Sequence, residues 1–277
     1  MDNTELVYDF DELKMYFGED YWVTDKICIH IPTIRDILEY GDTRFYAVVT
    51  TLCANTTAMR LQLWRSGIDW NTYPNFKLFA ALVKAYTPNE TKLLFGDLNL
   101  SWFELVHDND KDADILINIQ RDEDWEILRD EYGRLVIDNP DDLITIDELS
   151  YAKIVKYLSL VFNIHLKNEF AKNKATKEAM IWEDEEQEKI QKQKNKDKEL
   201  EHSFLLPMIS ALVNHPGFKY KTNELKEINI YQFMDSVKRL QIYENSTALL
   251  KGSYSGMVDT SKIDKKQFDW MRSTSDM

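Results

Sequence analysis

Glycine and proline are scarce in this sequence, at eight and six of 277 residues. Long irregular loops should therefore be few, because these two residues supply most sharp turns and breaks. Cysteine is scarcer still. Cys28 and Cys53 sit in "KICIHI" and "TLCANT", far apart and without CxxC spacing. That argues against a disulfide scaffold and for buried free thiols in a reducing compartment. No stretch approaches the roughly 18 apolar residues of a membrane span. The opening "MDNTELVYDFDELK" carries no apolar secretory core, so the expectation is a soluble cytosolic protein.

Catalytic signatures are missing as well. The chain has no GxGxxG, GxxxxGK[ST] or HExxH, and His30, His107, His165, His202 and His215 form no pair at i,i+4 and no zinc pattern. "GSYSG" at 252–256 lacks the preceding apolar strand of a nucleophile elbow, so it reads as a turn. "DNDKDADILINI" mimics a calcium loop in its aspartates. It places Ala113 and Ile119 where that loop needs glycine and a bidentate glutamate, so it reads as a solvated acidic turn. His30 reads as a hydrogen-bonded structural histidine, and His215, before Pro216, as a helix-end contact. No catalytic residue, cofactor site or metal site is assigned, and the expected class is non-enzymatic.

What the chain does have is the means to fill a core. It is 44% hydrophobic, with seven tryptophans, fourteen tyrosines and thirteen phenylalanines. Its net charge is −14 and unevenly spread, with 30 acidic against 15 basic side chains in residues 1–165, and 18 against 19 in residues 166–277. An acidic first half repels phosphate backbones, so a nucleic-acid partner is not expected there.

Periodicity divides the chain into four segments. Residues 1–107 are mixed. "KICIHI" alternates as a strand, with Ile27, Ile29 and Ile31 on one side and Cys28 and His30 on the other. "TRFYAVVTTLCA" fits a strand or a buried helix. "NFKLFAALVKAY" predicts a helix striped by Phe76, Phe79, Ala80 and Val83, with Pro88 as a stop signal. Residues 108–166 form an acidic connector with short strands at "ADILINI" and "GRLVIDN", then an amphipathic helix. That helix shows capping-box spacing at Thr145 and Glu148 and a stripe of Leu149, Ala152, Val155, Leu158 and Phe162. In residues 167–202, nineteen of the 35 side chains from Lys167 to Glu201 are charged. Pairs such as Glu185–Lys189 support a helix, either an exposed arm or a mobile linker. Residues 203–277 form a helical unit in which Ile230, Phe233, Met234, Val237 and Leu240 share a face. The predicted class is α+β, predominantly helical, with a mixed N-terminal unit, a long charged helix and a C-terminal helical unit. The aromatics of "YPNFKLF", "LSWFEL" and "YQFMDSVKRL" are candidate partner anchors, although core packing is the favoured reading of each.

"IHIPTIRDILEYGDTRFY" at 29–46 reads physically as a joint. A strand gives way to a helix capped by Thr33 and Asp36, with Pro32 near its start, Ile34, Ile37 and Leu38 inward, and Gly41 ending it. Together with "GIDWNTYPNFKLF", the segment resembles tail-assembly proteins of bacteriophages that infect Gram-positive hosts, through His30, Pro32, Thr33, Ile34, Glu39, Tyr40, Gly41, Phe45 and Tyr46. Asp42 stands where glutamate is commoner in that pattern. The segment from "FLLPMISALVNHPGFKY" to "GSYSGMVDTSKI" is similar to the end of the same family, through Tyr231, Phe233, Asp235, Ser236, Arg239, Gly252, Tyr254 and Gly256. The resemblance implies a chaperone-like protein of tail morphogenesis in the host cytoplasm. Its partners would be phage tail proteins, above all the tape-measure protein, and further copies of itself, with neither nucleic acid nor membrane. It carries over no catalytic residue. A minor tail or connector component of the virion is the competing reading, and an enzyme with an unpatterned site the third.

Overall fold

The computed structural model describes residues 8, 10–108, 112–119, 128, 131, 143–196, 203–256, 259, 261 and 263–274. The predicted strand at 133–139 and His202 lie outside these residues, as does part of the acidic loop. The class is the expected one: α+β and predominantly helical, with short strands early and long helices late. In chain order the elements are α1 (Glu12–Phe17), β1 (Tyr21–Trp22), β2 (Cys28–Ile29), α2 (Ile34–Tyr40), α3 (Asp42–Cys53), α4 (Arg60–Arg65), α5 (Asn75–Val83) and α6 (Pro88–Phe95). There follow β3 (Phe103–Asp108), β4 (Ala113–Asn118), β5 (Thr145–Ile146), α7 (Glu148–Val161), α8 (Lys174–Lys196), α9 (Leu206–Val213), α10 (Thr222–Leu225) and α11 (Ile230–Tyr254). Two compact units result. The first comprises Met1–Phe10, Asp20–His30 and Thr43–His202, and the second Asp11–Glu19, Ile31–Asp42 and Ser203–Met277.

The first unit holds two antiparallel sheets, β1–β2 and β3–β4–β5. Its ambiguous apolar run becomes α3, because Phe45, Val48, Val49 and Leu52 are buried at three- and four-residue intervals, the period of a helix face. Phe45 and Tyr46 both meet the edge of Phe162, with centroids 5.5 and 6.2 Å away. The α5 stripe is as predicted, with Leu78 added. Pro88, read as a stop, instead occupies the first turn of α6, whose capping box is Thr87 and Glu90. A proline loses nothing there, because its missing N–H would have no intrahelical partner.

Two expectations about α7 are corrected. Its N-cap is Asp147, which accepts from the Ser150 N–H at 2.7 Å. Thr145 is drawn into β5, where it pairs with Ile117. The buried stripe is Ser150, Ile154, Tyr157, Leu158 and Val161, so the helix is rotated from the expected face and Leu149 faces solvent.

The charged segment contains a 23-residue helix, α8, whose first half has a packing face. Ile181 and Ala171 join Leu61, Leu63, Trp70 and Leu78 in one cluster. Arg60 fixes α8 to α4. Its guanidinium is held by Asp184 in a two-pronged contact, donates to Glu169 at 2.6 Å, and lies 5.9 Å over the Trp70 ring. Arg65 donates to Glu188 at 2.7 Å one turn along. Lys177 and Asp69 add a third pair.

The second unit is built around α11, 25 residues long, with α1 packed against it. Ile230, Phe233, Met234, Ile242 and Ser246 are its buried residues. Val237 and Leu240, expected inward, are only half-buried. α2 carries the predicted box: Thr33 Oγ1 accepts from the Asp36 N–H, while the Asp36 carboxylate accepts from the Thr33 N–H. Leu38, expected inward, is exposed. Gly252 continues the last turn of α11, and the break comes at Gly256, with φ of 70°.

Candidate functional site

The unit's organising residue is Asn229, which the sequence reading passed over. Its side-chain oxygen caps α11 by accepting from the Gln232 N–H, and its amide donates to the Tyr16 carbonyl at 2.9 Å. Its backbone forms a bridge with Thr33, and the Ile230 N–H donates to the Pro32 carbonyl at 2.9 Å. The two segments that carry the resemblance thus meet at the start of α11. An asparagine directly before an apolar helical run was the available signal.

Two clefts lie against this helix. The first, about 610 Å³, is floored by Met208 and Leu212 of α9 and by Val237 and Leu240 of α11, with the exposed Pro207 and Ala211 at its edge. Its rim is polar: Gln241, Asn245, Glu244 and His215, the last two 3.2 Å apart. α9 is almost wholly apolar, yet Leu212 is its one buried residue, while Leu206 is 62% exposed. The second cleft, about 510 Å³, is lined by aromatics: Tyr16, Phe218, Tyr220, Tyr243 and Trp270. Tyr243 meets Trp270 edge-on at 6.0 Å. Leu240 lines both.

The pattern residues take several different positions. Arg239 donates to the carbonyls of Trp270 and Arg272, and Asp235 accepts from the Thr274 hydroxyl at 3.2 Å. Both therefore hold the last described residues against α11. Tyr231 is half-buried, and burial followed by the charges of Glu12 and Asp235 pushes its phenol up to about 12. Phe233 is fully buried. Tyr254 is 87% exposed, and at 1.5 Å per residue it lies roughly 35 Å along the helix from Tyr231. Gly256 turns the chain just beyond it. Pro32 is buried, Thr33 caps α2, Tyr40 is half-buried, and Gly41, at φ of 100°, ends α2 by donating to Ile37. His30, Phe45 and Tyr46 belong to the first unit. The pattern residues do not converge on a single pocket.

In the first unit, the Asp20 carboxylate lies 2.9 Å from Nδ1 of His30. The Cys28 thiol joins them, with one ligand-capable atom from each side chain lying within 4.8 Å of the others. Burial first, then the Asp20 charge, pushes that thiol up to about 11. Burial likewise pushes Cys53 up to about 12.

Residues 192–275 match the family model described as YomV second domain, which is a little under a third of the chain. No curated protein and no solved structure matches it. The matched segment contains α9, α10 and α11, every residue lining the first cleft, all but Tyr16 of those lining the second, and the whole C-terminal pattern that resembles phage tail-assembly proteins.

Proposed function

We propose that this chain is a phage-lineage, non-enzymatic tail-assembly protein that binds and shields the tape-measure protein in the host cytoplasm. The client is a long, partly helical chain with apolar stripes. The observation that carries the reading is the cleft between α9 and α11, with its apolar floor and polar rim. Helix-in-groove recognition uses this arrangement, in which a client's residues at i, i+3, i+4 and i+7 seat on aliphatic side chains. The exposed apolar side of α9 extends the contact surface. A net charge of −14 helps keep a protein with such a surface soluble.

The test is co-expression of the intact chain with its cognate tape-measure protein. Binding and gain of client solubility are expected, together with absence of this chain from finished particles. Leu240→Glu should abolish the gain, because a carboxylate on the cleft floor would be desolvated by an apolar client. A client that stays insoluble and unbound overturns the proposal. A stoichiometric band of this chain in purified virions establishes the structural-component role instead.

A further inference from the structure

We propose that Asp20, Cys28 and His30 form a binding site for one divalent transition-metal ion of borderline softness, zinc foremost. The inference starts from strand register. β1 and β2 pair antiparallel with Tyr21 opposite Ile29 and Trp22 opposite Cys28. The same register sets Asp20 opposite His30. Alternation along the second strand then puts Cys28 and His30 on one face and Ile27 and Ile29 on the other. Ile27 and Ile29 are fully buried, and burying such side chains is a main driving force of folding. A slip of one residue would expose both, so the core itself fixes the three ligand side chains on one outward face.

The backbone also holds the histidine in place. The His30 N–H donates to the Leu94 carbonyl at 2.8 Å. Gly96 lies against the ring's other nitrogen, where a Cβ would come within 3.5 Å of Nε2. Nδ1 is left facing the Asp20 carboxylate. Ligands around a tetrahedral zinc sit about 3.5 Å apart, given bonds of about 2.0–2.3 Å. The three atoms here already lie within 4.8 Å of one another, little more than that spacing. The donor set then selects the metal. Calcium and magnesium take oxygen ligands, whereas a mixed sulfur, nitrogen and oxygen set suits zinc and its neighbours. Three protein ligands leave one position for water. Among the described residues, no other group of three such side chains is so placed. The site stands independently of the tail-assembly role.

The test uses the full-length chain, stripped with chelator and then titrated with Co²⁺ and Zn²⁺. One ion per chain is expected by elemental analysis, with a sulfur-to-cobalt charge-transfer band that Zn²⁺ removes. Cys28→Ser should abolish the band, and Cys53→Ser should leave it intact. Asp20→Asn and His30→Gln should each weaken Co²⁺ binding at least about tenfold. In the unaltered chain, Zn²⁺ should protect Cys28 from alkylation, a readout that requires no variant to fold. Failure of Zn²⁺ to protect Cys28 overturns the proposal. So does cobalt binding without the charge-transfer band, which would place the ion on surface carboxylates.

Discussion

Replacing Arg60 with alanine should undock α8 from α4. The Arg60 side chain is only 11% exposed, and it neutralises Asp184 and Glu169 together. The hydrogen bond to Asp184 is the leading reason its pKa stands above the ordinary arginine range. Removing one member of a buried ion pair costs about 3–5 kcal/mol, because the partner charges stay behind uncompensated. Here the two carboxylates are 25% and 40% exposed, so water recovers part of that loss. Loss of the cation over Trp70 adds about 0.5–1 kcal/mol. The balance is roughly 2–3 kcal/mol of docking free energy, which corresponds to roughly 30- to 140-fold faster amide exchange where the opening equilibrium sets the exchange rate. Hydrogen-exchange mass spectrometry on peptides from the first half of α8 measures this directly. Arg60→Lys should fall between, since it keeps the charge and loses the fork. Arg60→Met combined with Asp184→Leu should recover much of the protection. Exchange within about threefold of the parent in Arg60→Ala would mean that Arg60 does not hold α8 in place.

Acid should loosen the same helix. Glu188 is held down to about 2 by its hydrogen bonds to Arg65 and then Lys192, and Asp69 is lowered by Lys177. Carboxylates depressed in the folded state stabilise it above their unfolded values. They lose that contribution as pH falls through the folded values, so α8 exchange, corrected for intrinsic rate, should accelerate between pH 4.5 and about 2; a flat profile contradicts this. Gly18→Ala should destabilise the second unit by about 1–2 kcal/mol. Gly18 has φ of 75°, and a Cβ would lie 3.0 Å from the Asn229 amide nitrogen. Asn229→Ala should cost at least the ~1 kcal/mol of a lost N-cap. Denaturant melts of either variant that overlay the parent would count against Asn229 as the unit's anchor.

Local signals were legible in the sequence, and pairings distant in the chain were not. The box at Thr33 and Asp36, the α5 stripe and the alternation of "KICIHI" all depend on residues within one turn or strand. The α7 cap was read as Thr145 with Glu148, but the helix is capped by Asp147. Pairing of Ile117 with Thr145 and of Leu116 with Ile146 draws Thr145 into the sheet, a contact that no local window contains. The α7 face was misjudged because leucines lie on both sides, and Leu149 and Leu160 are exposed. At the candidate sites, Cys28 and His30 were visibly on one face, but Asp20 joins them only through strand pairing. The cleft likewise depends on α9 meeting α11. Val237 and Leu240 therefore read as core in the sequence and prove to be the cleft floor.

A photo-cross-linking side chain placed at Gln241, on the rim of the α9–α11 cleft, reports whether a client helix seats there. In cells that also make the cognate tape-measure protein, the cross-link should join this chain to that protein, and Leu240→Glu should remove it. Cross-links only to other copies of this chain, or a tape-measure cross-link that persists in Leu240→Glu, would contradict the account.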